Sequence, residues 1–356
     1  MRRLVSAAVV SVLLAAGVSA RQNTGPLGLG SSAFESYIEL LRTQAGIPAI
    51  SGILIQDGRI VEEQGLGFAN VDARIRATPE TPYVIGDLTQ TFSAALLLQC
   101  VEQRHLNLDQ PLRSYGVALP DAAATLRQVL SHTYSPAAGG AFRYEPARYA
   151  ELAAAMETCA PQPFRKSIAH RVLDFLAMVD SVPGVDFQTG DVVPDGLFTE
   201  SQLARYANVL EQLAVPYRVD GRGRAVRSNV PVDGINAAVG LVSTVRDLAR
   251  FDDAMDDASL LREDTLEAAW SPVPAADGSV SPMGLGWFVQ TYRGAKVVWH
   301  AGYIPNAYSA LYVKVPSRRA TMILLANADG LVVPSVFESG DVTRSLYASV
   351  FLRMLL

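Results

Sequence analysis

The stretch Tyr83-Val-Ile-Gly-Asp-Leu-Thr-Gln-Thr-Phe-Ser-Ala-Ala-Leu-Leu-Leu98 organises this chain of 356 residues. It enters like a strand, passes Gly86 and becomes a long apolar helix. Asp87 reads as the helix N-cap, and Gln90 follows three residues later. An Asp there can accept from the backbone N–H near Gln90 while the Gln90 side chain reaches back to the cap, the capping-box arrangement. From Phe92 onward the helix is apolar on most faces, so it is expected to be buried at the centre of the protein.

Composition sets the surroundings. At 49% hydrophobic and 18% charged residues, the chain can bury a large core in one or two domains. Thirty basic and 35 acidic residues leave a net charge of −5, with no long like-charge run, which speaks against a nucleic-acid partner. Of the 30 basic residues 27 are Arg (30 minus 3 Lys), a bias of codon usage or lineage rather than a binding signal. Arg2 and Arg3 precede an apolar run from Leu4 to Val18, and Val18-Ser19-Ala20 resembles a signal-peptidase site. Residues 1–20 are therefore expected to be a signal peptide, shorter than the ~20 apolar residues a membrane span needs. No Cys follows the run, so a lipid anchor is not indicated, and the mature protein is expected to be periplasmic or secreted. The only cysteines are Cys100 and Cys159. An oxidising compartment permits a disulfide between them. The place of Cys100 on the apolar helix argues instead for a free buried thiol.

Further along the chain, residues 21–34 read as a flexible linker. Phe34, Tyr37, Ile38 and Leu41 recur at helical spacing. Ala49–Gln56 and Arg59–Gln64 flank Asp57-Gly58, a strong hairpin signal. Thr125–Thr133, Tyr149–Met156 and Ile168–Met178 read as helices, and 181–200 as loop. Ala295–His300, Ser309–Val315 and Ala320–Asn327 read as antiparallel strands with short connections. Val342, Leu346 and Val350 form one stripe of a closing helix. The expected class is α/β (α+β): an antiparallel sheet flanked by helices, built from about 35–94 and 236–356, with a mainly helical part at 95–235 inserted.

Gly86 to Ala94 resembles the nucleophile segment of the serine β-lactamase and penicillin-binding-protein superfamily, closest to its class C β-lactamase, esterase and D-aminopeptidase branch. There the pattern reads Gly-Ser-x-x-Lys-x-Phe-x-Ala, with the Ser attacking an acyl carbonyl and the Lys removing its proton. Here the Ser position is Asp87 and the Lys position is Gln90. Only Lys166, Lys296 and Lys314 exist, preceded at three residues by Pro163, Arg293 and Leu311, so the pair has not moved elsewhere. The likeness is densest at 49–133 and 237–330, including Ala237–Phe251 and Gly284-Leu-Gly-Trp-Phe288. It implies a β-lactamase/transpeptidase-like fold over 35–356.

The resemblance supplies the other site candidates. Phe142-Arg-Tyr144-Glu-Pro146 resembles the family's Tyr-x-Asn segment, with Tyr144 as proton shuttle and Pro146 in the Asn place; Tyr144 reads equally well as a packing residue at a helix start. Trp299-His-Ala-Gly302 resembles the third motif, Lys-Thr-Gly or His-x-Gly, whose strand N–H supplies half of an oxyanion hole. His300 and Gly302 are thus expected to line a pocket. Asp87 reads as a nucleophile or base by position and as a cap by local chemistry; Gln90 cannot act as a base but can bind. His132, in Leu130-Ser-His-Thr133, is expected to be structural. His105, His132 and His170 show no zinc spacing, so neither metal nor cofactor is expected. These readings point to an exported, catalytically degenerate relative that binds a cell-wall peptide or small acyl ligand; the alternative is an active esterase, peptidase or β-lactamase-like hydrolase using other residues.

Overall fold

The computed structural model describes residues 31–134, 139–188, 196–230 and 234–356. The expected signal peptide and most of the expected linker lie outside them. A seven-stranded antiparallel sheet carries the architecture. Its strands, in chain order, are β1 (Ala49–Gln56), β2 (Arg59–Asn70), β3 (Ile75–Arg76), β4 (Phe288–Tyr292), β5 (Ala295–Ile304), β6 (Tyr308–Val315) and β7 (Ala320–Ala326). Their spatial order is β3-β2-β1-β7-β6-β5-β4, so β1 pairs with β7 and joins the two ends of the chain, with Ile53 opposite Ile323. The Asp57-Gly58 turn closes the β1–β2 hairpin, with both residues at positive φ.

Alternation along the strands puts apolar side chains on both faces. Ile50, Leu54, Leu311, Val313, Met322 and Leu324 pack under α1 (Ser31–Gln44) and the closing helix. Ile53, Ile55, Tyr312, Ile323 and Leu325 face the larger core that includes α2 (Thr89–Glu102). Eleven residues of α2 are buried, from Thr89 to Cys100. Phe92 stacks on Phe251 of α3 (Val245–Asp256) at 4.0 Å.

Several elements differ from expectation. The first helix begins at Ser31, inside the stretch read as linker. The helix expected over 149–156 is two, Pro146–Ala150 and Ala153–Cys159. That expected over 168–178 starts earlier, at Phe164, and passes at Ala169 into a wide turn with π-type hydrogen bonds. Val342 sits in a 3-10 turn before the closing helix α4 (Leu346–Leu355). Strand β4 was not expected: its alternation spans only five residues.

Cys100 is not a free thiol. It is bonded to Cys159, 59 residues away, with Cα atoms 5.9 Å apart. The packing of helix Ala153–Cys159 on α2 brings the two within bridging distance, which no local feature of either cysteine announces. The bond ties the central helix to the inserted helical part.

Candidate active site

Two glycines let the sheet approach the head of α2. Gly302 of β5 comes so close that a Cβ there would lie 1.8 Å from the Ile85 carbonyl oxygen. Gly86 has φ +56°, and a Cβ on it would lie 2.9 Å from the Tyr303 nitrogen. Positive φ suits glycine, so Gly86 turns the chain tightly into a 3-10 turn, Gly86–Leu88. Helix α2 starts only after that turn.

The expected capping box is therefore absent. Leu88 holds the N-cap position of α2, with no side-chain cap. The Asp87 carboxylate instead faces β5: its Oδ2 accepts from the Tyr303 backbone N–H at 3.2 Å. Its Oδ1 lies 3.5 Å from the Gln90 Nε2 donor. The Tyr144 hydroxyl and Asp87's own N–H also act on this carboxylate. A backbone donor on the strand thus outcompetes the local cap.

Gln90 is the centre of a buried network. Its Nε2 donates to the Tyr144 hydroxyl at 2.9 Å. Its Oε1 lies 3.0 Å from His132 Nε2, while the Glu145 backbone N–H donates to His132 Nδ1 at 3.0 Å. Because Nδ1 accepts, the neutral imidazole must carry its proton on Nε2 and donate it to Gln90. The Tyr149 hydroxyl donates to the Gln90 backbone oxygen at 3.1 Å. Every polar atom of the Gln90 side chain is therefore engaged, which fixes its amide orientation.

His300 is fully buried, and its Nδ1–H donates to the Ala301 carbonyl at 2.8 Å. Its Nε2 is left as an acceptor without a partner among the described residues. Burial pushes His300 down to about 4 and, aided by the nearby His300, His132 down to about 3, so both rings are neutral near pH 7. Tyr144 stacks on Phe337 at 4.7 Å and lies beside Phe288 and His132. Burial, then the Asp87 charge, raise its hydroxyl well above the ordinary value. Pro146 opens helix Pro146–Ala150 at its first position, where proline is favoured, and offers no amide.

Asp87, Gln90, Tyr144, His300 and Gly302 thus meet at one place, between the sheet and the inserted helices. Two participants were not singled out. His132, read as structural, is a direct partner of Gln90. Tyr303 acts through its main chain, which leaves no side-chain signal; its position after Gly302 was the available clue.

Burial pushes the Asp87 carboxyl from 3.8 up to about 6, against the lowering pull of the Tyr303 N–H. The folded protein then holds this proton more tightly than the unfolded chain. The group's contribution to stability is full below about pH 4 and is lost as pH rises through about 6. Asp87→Asn cannot ionise and keeps an oxygen for Tyr303. It is expected to match the wild type near pH 4 and to exceed it by about 3 kcal/mol near pH 7 in urea denaturation. Asp247, also pushed up to about 6 by burial, affects both proteins equally. Identical pH profiles for the two would show that Asp87 does not titrate in this range.

The site and sheet define a β-lactamase/transpeptidase-like protein, and comparison with known proteins agrees. The family described as Beta-lactamase matches residues 34–338, and the chain belongs to it. Penicillin-binding protein PbpX of Bacillus subtilis, a putative assignment, is 20% identical over 266 residues, 67% of this chain and 61% of that protein. D-aminopeptidase of Brucella canis is 22% identical over 333 residues, 83% of this chain and 59% of the relative. The chain thus spans about three fifths of the length of these relatives. Among solved structures, the octameric penicillin-binding protein homologue from Pyrococcus abyssi has a TM-score of 0.72 at 23% identity, covering 91% of this chain and 78% of that one. D-amino acid amidase from Ochrobactrum anthropi SV3 has a TM-score of 0.66 at 19% identity, covering 91% and 98%. These structural likenesses share the fold.

Proposed function

We propose that this chain is an exported member of the family that has given up acyl-serine chemistry and acts by binding, its ligand being a cell-wall-derived peptide or a small acyl compound. The observation that carries the reading is the Asp87 carboxylate on the Tyr303 N–H. In the resembled chemistry, a hydroxyl at this position attacks while the strand N–H holds the developing oxyanion. Here the residue at the attacking position occupies that donor itself. The amide at 90 has no accessible protonation near neutral pH, so no base replaces the lysine. A nucleophile and its base act as a unit, and without both only weak residual catalysis from binding is expected.

The second reading, an active hydrolase with Asp87 as general base, draws on its pKa of about 6, close to what such a base needs. Against it, Asp87 occupies the Tyr303 N–H, the donor such a hydrolase would need for its developing oxyanion. Incubating the mature protein with a fluorescent penicillin, a chromogenic β-lactam and simple esters separates the two. No adduct and no turnover are expected, together with a rise in melting temperature on adding the ligand class. A covalent adduct or steady turnover would establish the hydrolase.

A further inference from the structure

Asp87 reverses the polarity of the site. Its carboxylate is 6% exposed, and every donor found on it is neutral: a backbone N–H, an amide and a phenol. No ion pair among the described residues includes it. Of the three lysines, Lys314 is committed to Asp252 in the core. The two histidines of the site are neutral near pH 7. The site therefore holds one buried negative charge with no counter-charge, a costly state that a cation would relieve.

Its surroundings add two features. His300 Nε2 is a buried acceptor with no partner, so the site has spare accepting capacity. Beside it stands an aromatic wall, where Tyr144 stacks on Phe337 and Phe142 meets Phe288 edge-on at 6.1 Å. Meanwhile the Tyr303 N–H, the donor a carbonyl or carboxylate ligand would need, is already taken. An incoming acyl oxygen meets a carboxylate and is repelled; an incoming N–H donor is attracted.

We propose that the site selects an organic ammonium ion with an apolar body, its cationic head on Asp87 and its body against Tyr144 and Phe142. This rests on the binding reading above; of its two ligands it keeps the peptide, entering by an amino group, and drops the small acyl compound. The recognising charge is the side chain that stands where the resembled enzymes carry their nucleophile.

The test compares three probes of similar size and different charge: phenethylammonium, phenethyl alcohol and 3-phenylpropanoate, titrated calorimetrically into the mature protein at neutral pH. Phenethylammonium is expected to bind about tenfold or more tightly than the alcohol, and the carboxylate most weakly. Asp87→Asn, expected to fold, should reduce the ammonium's advantage to about twofold or less. Equal binding of all three, binding of none, or an ammonium preference that survives Asp87→Asn would each overturn the proposal. Failure of the underlying reading looks different: a fluorescent penicillin adduct would remove the binding-only function and leave the charge preference measurable. Charge-blind binding without any adduct would remove the ammonium proposal alone.

Discussion

Asp87→Ser combined with Gln90→Lys is expected to form a covalent adduct with a β-lactam at least about 100-fold faster than the wild type, the contribution of a positioned base. Removing the carboxylate frees the Tyr303 N–H that now binds it. That donor then faces the space where an acyl oxygen would lie. A lysine at 90 enters a fully buried position, and desolvation favours its neutral, proton-accepting form. His132 helps, because its Nε2–H is aimed at residue 90 and donates to an amine lone pair as it now does to the amide oxygen. Neither single change suffices. Serine alone faces an amide, and lysine alone forms an ion pair with Asp87. Gel fluorescence over time, with mass spectrometry placing the adduct on residue 87, gives the result. A folded double variant without adduct would mean that Tyr144 and Phe337 close the site to substrates of this size.

The fold was legible because its signals are local. Strands β1, β6 and β7 are buried on both faces and so read as short apolar runs, and Asp57-Gly58 marks its hairpin in two letters of sequence. The site was legible because Gly86, Phe92, Ala94, His300 and Gly302 keep a pattern around two replaced residues. What stayed hidden depends on contacts between distant segments. The capping box follows a local rule that holds when the helix begins beside its cap. Gly86 inserts a 3-10 turn, and Gly302 brings a backbone donor from more than 200 residues away to the same carboxylate. Cys100 and Cys159 are joined by helix packing that neither flank encodes. His132 shows the same limit: its segment gave its place in the chain, but its bond to Gln90 depends on how the inserted helices rest on α2.

Outside the site, the largest stability effect is expected at Lys314, which is 1% exposed on β6. Its Nζ donates to Asp252 at 2.9 Å and to Asp256 at 2.7 Å, both on α3. Thr321 of β7 and Tyr312 of β6 also donate to Asp252. The cluster fastens α3 to the sheet, and α3 in turn supports α2 through the Phe92–Phe251 stack. Lys314→Met keeps most of the volume and removes the charge. Asp252, fully buried, is then left without a cation, and breaking such a pair costs about 3–5 kcal/mol. Burial already raises the Asp252 carboxyl, and Lys314 opposes that rise. Without the lysine the carboxyl is freer to take up a proton, so the loss should shrink as pH falls. Adding Asp252→Asn to Lys314→Met removes the stranded charge and is expected to restore a substantial part of the loss near pH 7. Urea denaturation of the two single variants and the double variant forms the cycle. If the double variant is as unstable as the two single losses added together, the cluster is not acting as a charge pair.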